Sequence, residues 1–197
     1  MLFRLAVRLK KLLESPFTLH AGVLKRIERE ARHARAGRPG RIVARMNALN
    51  EPGVIRALYA ASQAGVEIDL MVRGACTLRP GVPGVSDNIR VRSVVGRFLE
   101  HARAYWFGND GDPELFCASA DWLERNLLRR VEVAFPILAP VLAARVKAEA
   151  LDNYFADNVE AWLLQPDGSY ARAEPAAGET PHSAQSALLQ ALAGSSA

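Results

Sequence analysis

The sequence predicts an α/β fold: a mixed β-sheet of about six strands with helices on both faces. Three observations carry this. Apolar runs of strand length, at 41–46, 66–72 and 88–95, alternate with stretches of helical spacing. The first two runs are separated by one short helix, the arrangement that joins parallel neighbours through a right-handed crossover. Later runs are punctuated by Gly, Pro, Asn and Asp turns, as at Asn109–Pro113. With 197 residues, half of them apolar, the chain can bury one sizeable core. Its expected parts are an N-terminal helix or linker (1–17), the main domain (18–172), and a linker with a C-terminal helix (173–197).

The N-terminal run LFRLAVRLKKLL is broken by Arg4, Arg8, Lys10 and Lys11, which excludes a membrane span and argues for an amphipathic helix over 2–13. Pro16 stops it. From Thr18 to Ala36, Val23, Ile27 and Ala31 share a helical face, and His20 and His33 are expected in solvent. Arg41–Met46 reads as a strand with Ile42, Ala44 and Met46 on one face. Asn50 is the expected cap of the next helix, with Pro52 in its first turn and Gly65 at its end. Val66–Val72 and Asn88–Val95 follow as strands. Ligands of such sheets gather beyond the carboxyl ends of the strands, here the loops 47–50 and 73–87. Val131–Ile137 reads as a buried strand, and 141–155 as a helix with Leu142, Val146, Ala150 and Leu151 inward. A late strand at 158–165 ends at the turn Pro166-Asp167-Gly168, and a last helix at 182–192 presents Ala184, Leu188, Leu189 and Leu192.

Charge is modestly positive, +4, which points to anionic partners. Of 25 basic residues only Lys10, Lys11, Lys25 and Lys147 are lysine, and from Arg73 to Arg130 every basic residue is arginine. Guanidinium groups suit two-pronged contacts to phosphate. Cys76 and Cys117 are too few and too far apart for a zinc site or a disulfide framework, which suits a reduced, cytoplasmic setting.

The stretch 100–130 concentrates the chemistry. Read as a strand from His101, it projects His101, Arg103 and Tyr105 one way and Ala102, Ala104 and Trp106 towards a core. Beyond the turn come Ser119, Asp121, Arg125, Asn126, Arg129 and Arg130. Imidazole, guanidinium, hydroxyl and amide groups together make a candidate phosphate site, and Arg73, at the end of an earlier strand, is a separate candidate for binding an anion.

Several strings carry a more specific signal: SPFTL (15–19), ARMNALNEP (44–52), the run from ALYAASQ to FLEH (57–101), SADWLERNLLRRVEV (119–133) and NVEAWLLQPDGSYAR (158–172). They resemble the C-terminal part of the bacterial type-one polyphosphate kinases. The resemblance implies a phospholipase D-like domain, the second of two in the family, and reversible transfer of the terminal phosphate of ATP to polyphosphate. The spacing His101-x-Arg103 with Ser119-x-Asp121 is a degenerate echo of that superfamily's motif. The family's phosphorylated histidine lies in the first of the two domains and has no counterpart here, so the resemblance implies a fragment completed by the N-terminal part of the kinase. It implies that Arg73 and Arg130 bind phosphate and that His101 assists transfer; Arg103, Ser119 and Asn126 complete the candidate phosphate-binding set. Mg²⁺ is expected with ATP in the complete enzyme, and no metal site on this chain alone. The partners implied are ATP or ADP and polyphosphate, with no nucleic acid; association between copies of the chain stays open. Two other readings remain: a polyphosphate- or nucleotide-binding module without turnover, and a phospholipase D-type hydrolase pairing two copies of His101.

Overall fold

In the computed structural model, which describes residues 9 and 11–194, the strands form one sheet of nine, in the order β1-β7-β6-β5-β2-β3-β4-β8-β9. The strands are β1 (Leu13–Ser15), β2 (Arg41–Met46), β3 (Glu67–Val72), β4 (Ile89–Val94), β5 (Ala104–Phe107), β6 (Glu114–Ala118), β7 (Glu132–Pro136), β8 (Ala161–Leu164) and β9 (Tyr170–Arg172). Only the pairs β2/β3 and β3/β4 are parallel, so the sheet is mixed as expected. It is wider than the expected six or so strands, in part because two three-residue strands, β1 and β9, extend its edges. Runs so short carry no period of their own.

Helices cover both faces. On one, α1 (Leu19–Arg35) and α2 (Pro52–Gln63) pack Val23, Ile27, Val54 and Leu58 against Ile42, Ala44, Ile68 and Leu70. On the other, α4 (Pro140–Lys147), a π-helical turn (Ala148–Asp152), α5 (Asn153–Phe155) and α6 (Ala184–Gly194) supply Leu151, Tyr154 and Ala184 to Val43, Met71, Val94 and Ala104. The fully buried Glu30 of α1 accepts hydrogen bonds from the backbone N–H groups of Asn109 (3.0 Å) and Arg41 (3.3 Å). It thereby ties the left-handed turn at Asn109–Asp110 to the start of β2.

Local expectations shift where tertiary contacts intervene. The cap of α2 is Glu51, which accepts from the Val54 N–H at 2.6 Å; the backbone N–H groups of Asn50 and Glu51 both donate to the Trp122 carbonyl. Gly65, at φ +94°, ends that helix as read. His20 is bonded to Glu51 at 3.0 Å and His33 is largely covered near Asp110, so neither stands free in solvent. β5 begins at Ala104, not His101; both its faces are covered, Tyr105 is buried and Ala102 exposed. β7 is not a buried strand: Val131 is 93% exposed and Phe135 is open to solvent. Leu142 is exposed while Leu151 is fully buried, because the π turn adds a residue and rotates the inward face. In α6, Leu189 and Leu192 are exposed, while Ala184, Leu188 and the buried Gln185 face inward. The expected helix over 2–13 lies largely outside the described residues, and Leu13 belongs to β1.

An acid-sensitive ion-pair cluster crosses the parallel strands. Asp69 on β3 binds Arg90 on β4 (2.6 Å) and Arg41 on β2. Burial alone would raise its pKa, but the hydrogen bonds and charges of Arg90 and Arg41 win and hold it below its ordinary 3.8. A depressed folded-state pKa stabilises the fold above the unfolded-state value, and that stability is lost as pH falls through the folded value. Urea titrations should therefore show stability dropping below about pH 4, with Asp69→Asn flattening that part of the profile. An unchanged profile in the variant would refute the assignment.

Candidate functional site at the carboxyl edge of the sheet

The site residues read from sequence lie along one edge of the sheet, where β2, β3 and β6 end and β5 and β7 begin, with Arg73 and Arg130 four strands apart in the sheet order. The antiparallel register decides this: Ala104 lies opposite Arg45 near the end of β2, and Ala118 opposite Ala134 in β7. Residues 101–103, 119–121 and 130–132 thus emerge together, beside Asn47 and Arg73 at the ends of β2 and β3.

The floor of this edge is held by Asp121, which is buried. Its carboxylate accepts from the Asn47 N–H (2.7 Å), the Asn47 side-chain amide (3.1 Å), and Arg103 through Nε (2.9 Å) and Nη2 (3.3 Å). The remaining Arg103 nitrogen, Nη1, donates to the His101 carbonyl at 3.3 Å. Arg103 therefore has every arm of its guanidinium engaged within the chain. Beside it, Tyr105 donates its hydroxyl to the Ala120 carbonyl. Burial pushes the Tyr105 pKa well up, and the Asp121 charge adds to this, so the hydroxyl stays a donor.

A second cluster forms around Glu132, which sequence reasoning missed. Its carboxylate accepts from the Ser119 hydroxyl and from the Asn126 amide at 2.8 Å, while Ser119 Oγ accepts from the Val133 N–H at 3.1 Å. Nothing in the local sequence marks Glu132; only the pairing of β6 with β7 brings it to Ser119. Ser119 and Asn126 consequently shape the edge from within.

The remaining predicted groups are differently placed. His101 is exposed, and its ring makes no hydrogen bond or ion pair among the described residues. Arg130 is likewise exposed, with its backbone N–H on the Arg125 carbonyl and its guanidinium unpaired. Arg73 is fixed by its backbone, donating to the Met46 carbonyl (3.2 Å) and accepting from the Ser93 hydroxyl (2.8 Å). Its unpaired guanidinium borders a cavity of about 440 Å³ whose other wall is residues 94–100. A further cavity of about 530 Å³ lies between Ala48, Asn50 and Ala75 on one side and Leu123, Arg125 and Arg129 on the other. Burial pushes the Cys76 thiol up to about 11 and raises Cys117 too, so neither is a thiolate nucleophile at neutral pH.

A family model described as Polyphosphate kinase C-terminal domain 2 matches residues 12–185. The chain belongs to the polyphosphate kinase family. It is 68% identical over 186 residues to the polyphosphate kinase of Xylella fastidiosa strain 9a5c, covering 94% of this chain but 27% of that protein. The crystal structure of polyphosphate kinase from Porphyromonas gingivalis superposes with a TM-score of 0.90 at 38% identity, over 95% of this chain and 28% of that one. The chain thus spans about a quarter of the length of the kinases it matches, and corresponds to their C-terminal part. Nuc, a phospholipase D family member from Salmonella typhimurium, shares the fold at a TM-score of 0.50 and 15% identity, over 70% of this chain and 88% of that one.

Among the described residues no group of three or more His, Cys, Asp or Glu side chains could hold a metal ion. The carboxylates nearest the edge, Asp121 and Glu132, already face hydrogen-bond donors. The donor set here does not fit a resident metal. No helix among them is long and apolar enough to cross a membrane.

The geometry separates floor from rim. Asp121→Ala strands the Arg103 charge and the Asn47 N–H, and should cost about 3 kcal/mol in urea unfolding. His101→Ala should leave the urea midpoint unchanged, because the residue is exposed and its ring makes no hydrogen bond or ion pair among the described residues; a marked shift would mean that the imidazole is structural.

Proposed function

We propose that this chain is the C-terminal catalytic-domain part of a polyphosphate kinase. It would serve the reversible transfer of the terminal phosphate of ATP onto polyphosphate, with Arg73 and Arg130 binding phosphate and His101 assisting the transfer. One observation carries the reading beyond family membership. On an edge where Arg103 and Arg129 are paired internally, Arg73 and Arg130 have unpaired guanidiniums and His101 an open ring. Unpaired cations are what a polyanion needs.

Phosphoryl transfer spreads negative charge over the oxygens of the moving group, so fixed cations in line with it lower the barrier. In this reading Arg73 and Arg130 neutralise that charge. The His101 imidazole can give a proton to the departing phosphate oxygen and take it back in the reverse direction. Arg103, Ser119 and Asn126 act from below: their bonds to Asp121 and Glu132 fix the backbone from which His101 and Arg130 project. Mg²⁺ accompanying ATP would neutralise nucleotide phosphates and take its other ligands from phosphate and water. The group that receives the phosphate from ATP would belong to the upstream part of the kinase, and the setting would be cytoplasmic.

The test replaces the matched segment of the Xylella fastidiosa kinase by this chain. The chimera should synthesise polyphosphate; Arg73→Ala and Arg130→Ala should each lower kcat/KM about tenfold or more, and His101→Ala should lower kcat about a hundredfold. A chimera that binds polyphosphate without transfer would favour a binding module. Full activity after His101→Ala would remove the assisting role.

A further inference from the structure

His101 follows a segment, 95–100, that has no regular secondary structure. Its large apolar side chains do not anchor it: Phe98 is 47% and Leu99 76% exposed, and Val95 is exposed as well. What holds it is polar and comes from two distant parts of the chain. The Glu100 carboxylate accepts from buried Arg45 on β2, from the Tyr154 hydroxyl (2.8 Å) and from the Gln185 amide (2.5 Å). Arg45 is itself locked, donating to the Ala150 carbonyl at 3.1 Å and stacking over the Tyr154 ring at 3.7 Å.

Gln185, in the first turn of α6, also grips the backbone two residues earlier. Its Oε1 accepts from the Phe98 N–H at 2.8 Å, and its Nε2 donates to the Phe98 carbonyl at 2.8 Å. The side chain is buried, and its position is fixed by the two bonds of its neighbour: the Ala184 N–H on Asp157 (2.8 Å) and the Ala184 carbonyl on Asn153 (2.9 Å). Gly96 completes the contact. A Cβ there would stand 2.7 Å from Gln185 Oε1 and 2.9 Å from the Glu160 carboxylate. A side chain at residue 96 would displace the ends of Gln185 and Glu160 from these positions.

We propose that Gln185 is a positioning residue for His101, acting through Phe98 and Glu100. The inference rests on the assisting role of His101 proposed above. On one side of the imidazole, Arg103 is tied to Asp121 and to the His101 carbonyl; on the other, Glu100 is tied to Arg45, Tyr154 and Gln185. The first clamp belongs to the sheet. The second spans the chain, so the C-terminal helix sets where the ring stands. The same segment walls the Arg73 cavity, which places Gln185 in control of both the imidazole and that wall.

The test uses the chimeric kinase. Gln185→Ala should lower kcat about tenfold while changing the KM for polyphosphate less than about twofold. Amide hydrogen exchange should quicken in 96–101 and stay slow in β2 and β3. A His101→Asn background supplies the control: there Gln185→Ala should cost less than about twofold, since the group it positions is gone. An unchanged kcat, or the same tenfold loss in the His101→Asn background, overturns the proposal. If His101→Asn alone keeps full activity, the assisting role of His101 fails instead, and quickened exchange in 96–101 still reports whether Gln185 holds the segment. If Gln185→Ala fails to fold, Gly96→Ala, which displaces the same amide from the other side, should give the same pattern, and its failure to do so counts against the proposal.

Discussion

The carboxylate of Asp121 sits almost out of solvent where β2 and β6 end and β5 begins, and the architecture of the edge depends on it. A buried carboxylate is tolerated only when its charge and lone pairs are matched. Here the match is drawn from two other segments at once: the backbone and side chain of Asn47, and the guanidinium of Arg103. That single group therefore welds the loop after the parallel strand β2 to the antiparallel strands beside it. Glu132 does the same one strand further out, joining the end of β6 and α3 (Glu124–Leu128) to the start of β7.

A division of labour among the arginines follows. Those facing the floor of the edge or the sheet, Arg45, Arg90 and Arg103, are paired with carboxylates and define structure. Arg73 and Arg130, at the rim, are left with guanidiniums unpaired among the described residues. Counting guanidiniums does not distinguish the two groups; counting their internal acceptors does. At the proposed site this leaves a surplus of cation over carboxylate at the rim among the described residues. His101 belongs with the surplus, but its backbone is clamped on both flanks, by Arg103 and by the Glu100 network.

Much of the frame was legible from residues alone. β2 matched the reading residue for residue, and α1, α2, β3 and β4 did so to within about two positions, because each carries a clear period and is bounded by Gly or Pro. The parallel pairing of β2 with β3 followed from the short helix between them. Errors fell where a local pattern was short or overruled: the three-residue strands β1 and β9, the π turn that turned Leu142 outward, and β5, covered on both faces, where Tyr105 is buried.

The sequence by itself determined the fold class and the family and named the candidate residues, since hydrophobic period, turn residues and matching strings are properties of contiguous stretches. Only the tertiary structure decided which of those residues are free. Arg103, Ser119 and Asn126 look like Arg73 and Arg130 in a one-dimensional reading, yet their partners Asp121 and Glu132 reach them only through the pairing of β5, β6 and β7. Gln185 meets Phe98 across more than eighty positions of sequence. Hydrogen bonds are short-ranged in space and indifferent to separation along the chain, and so no pattern within the strings could announce them.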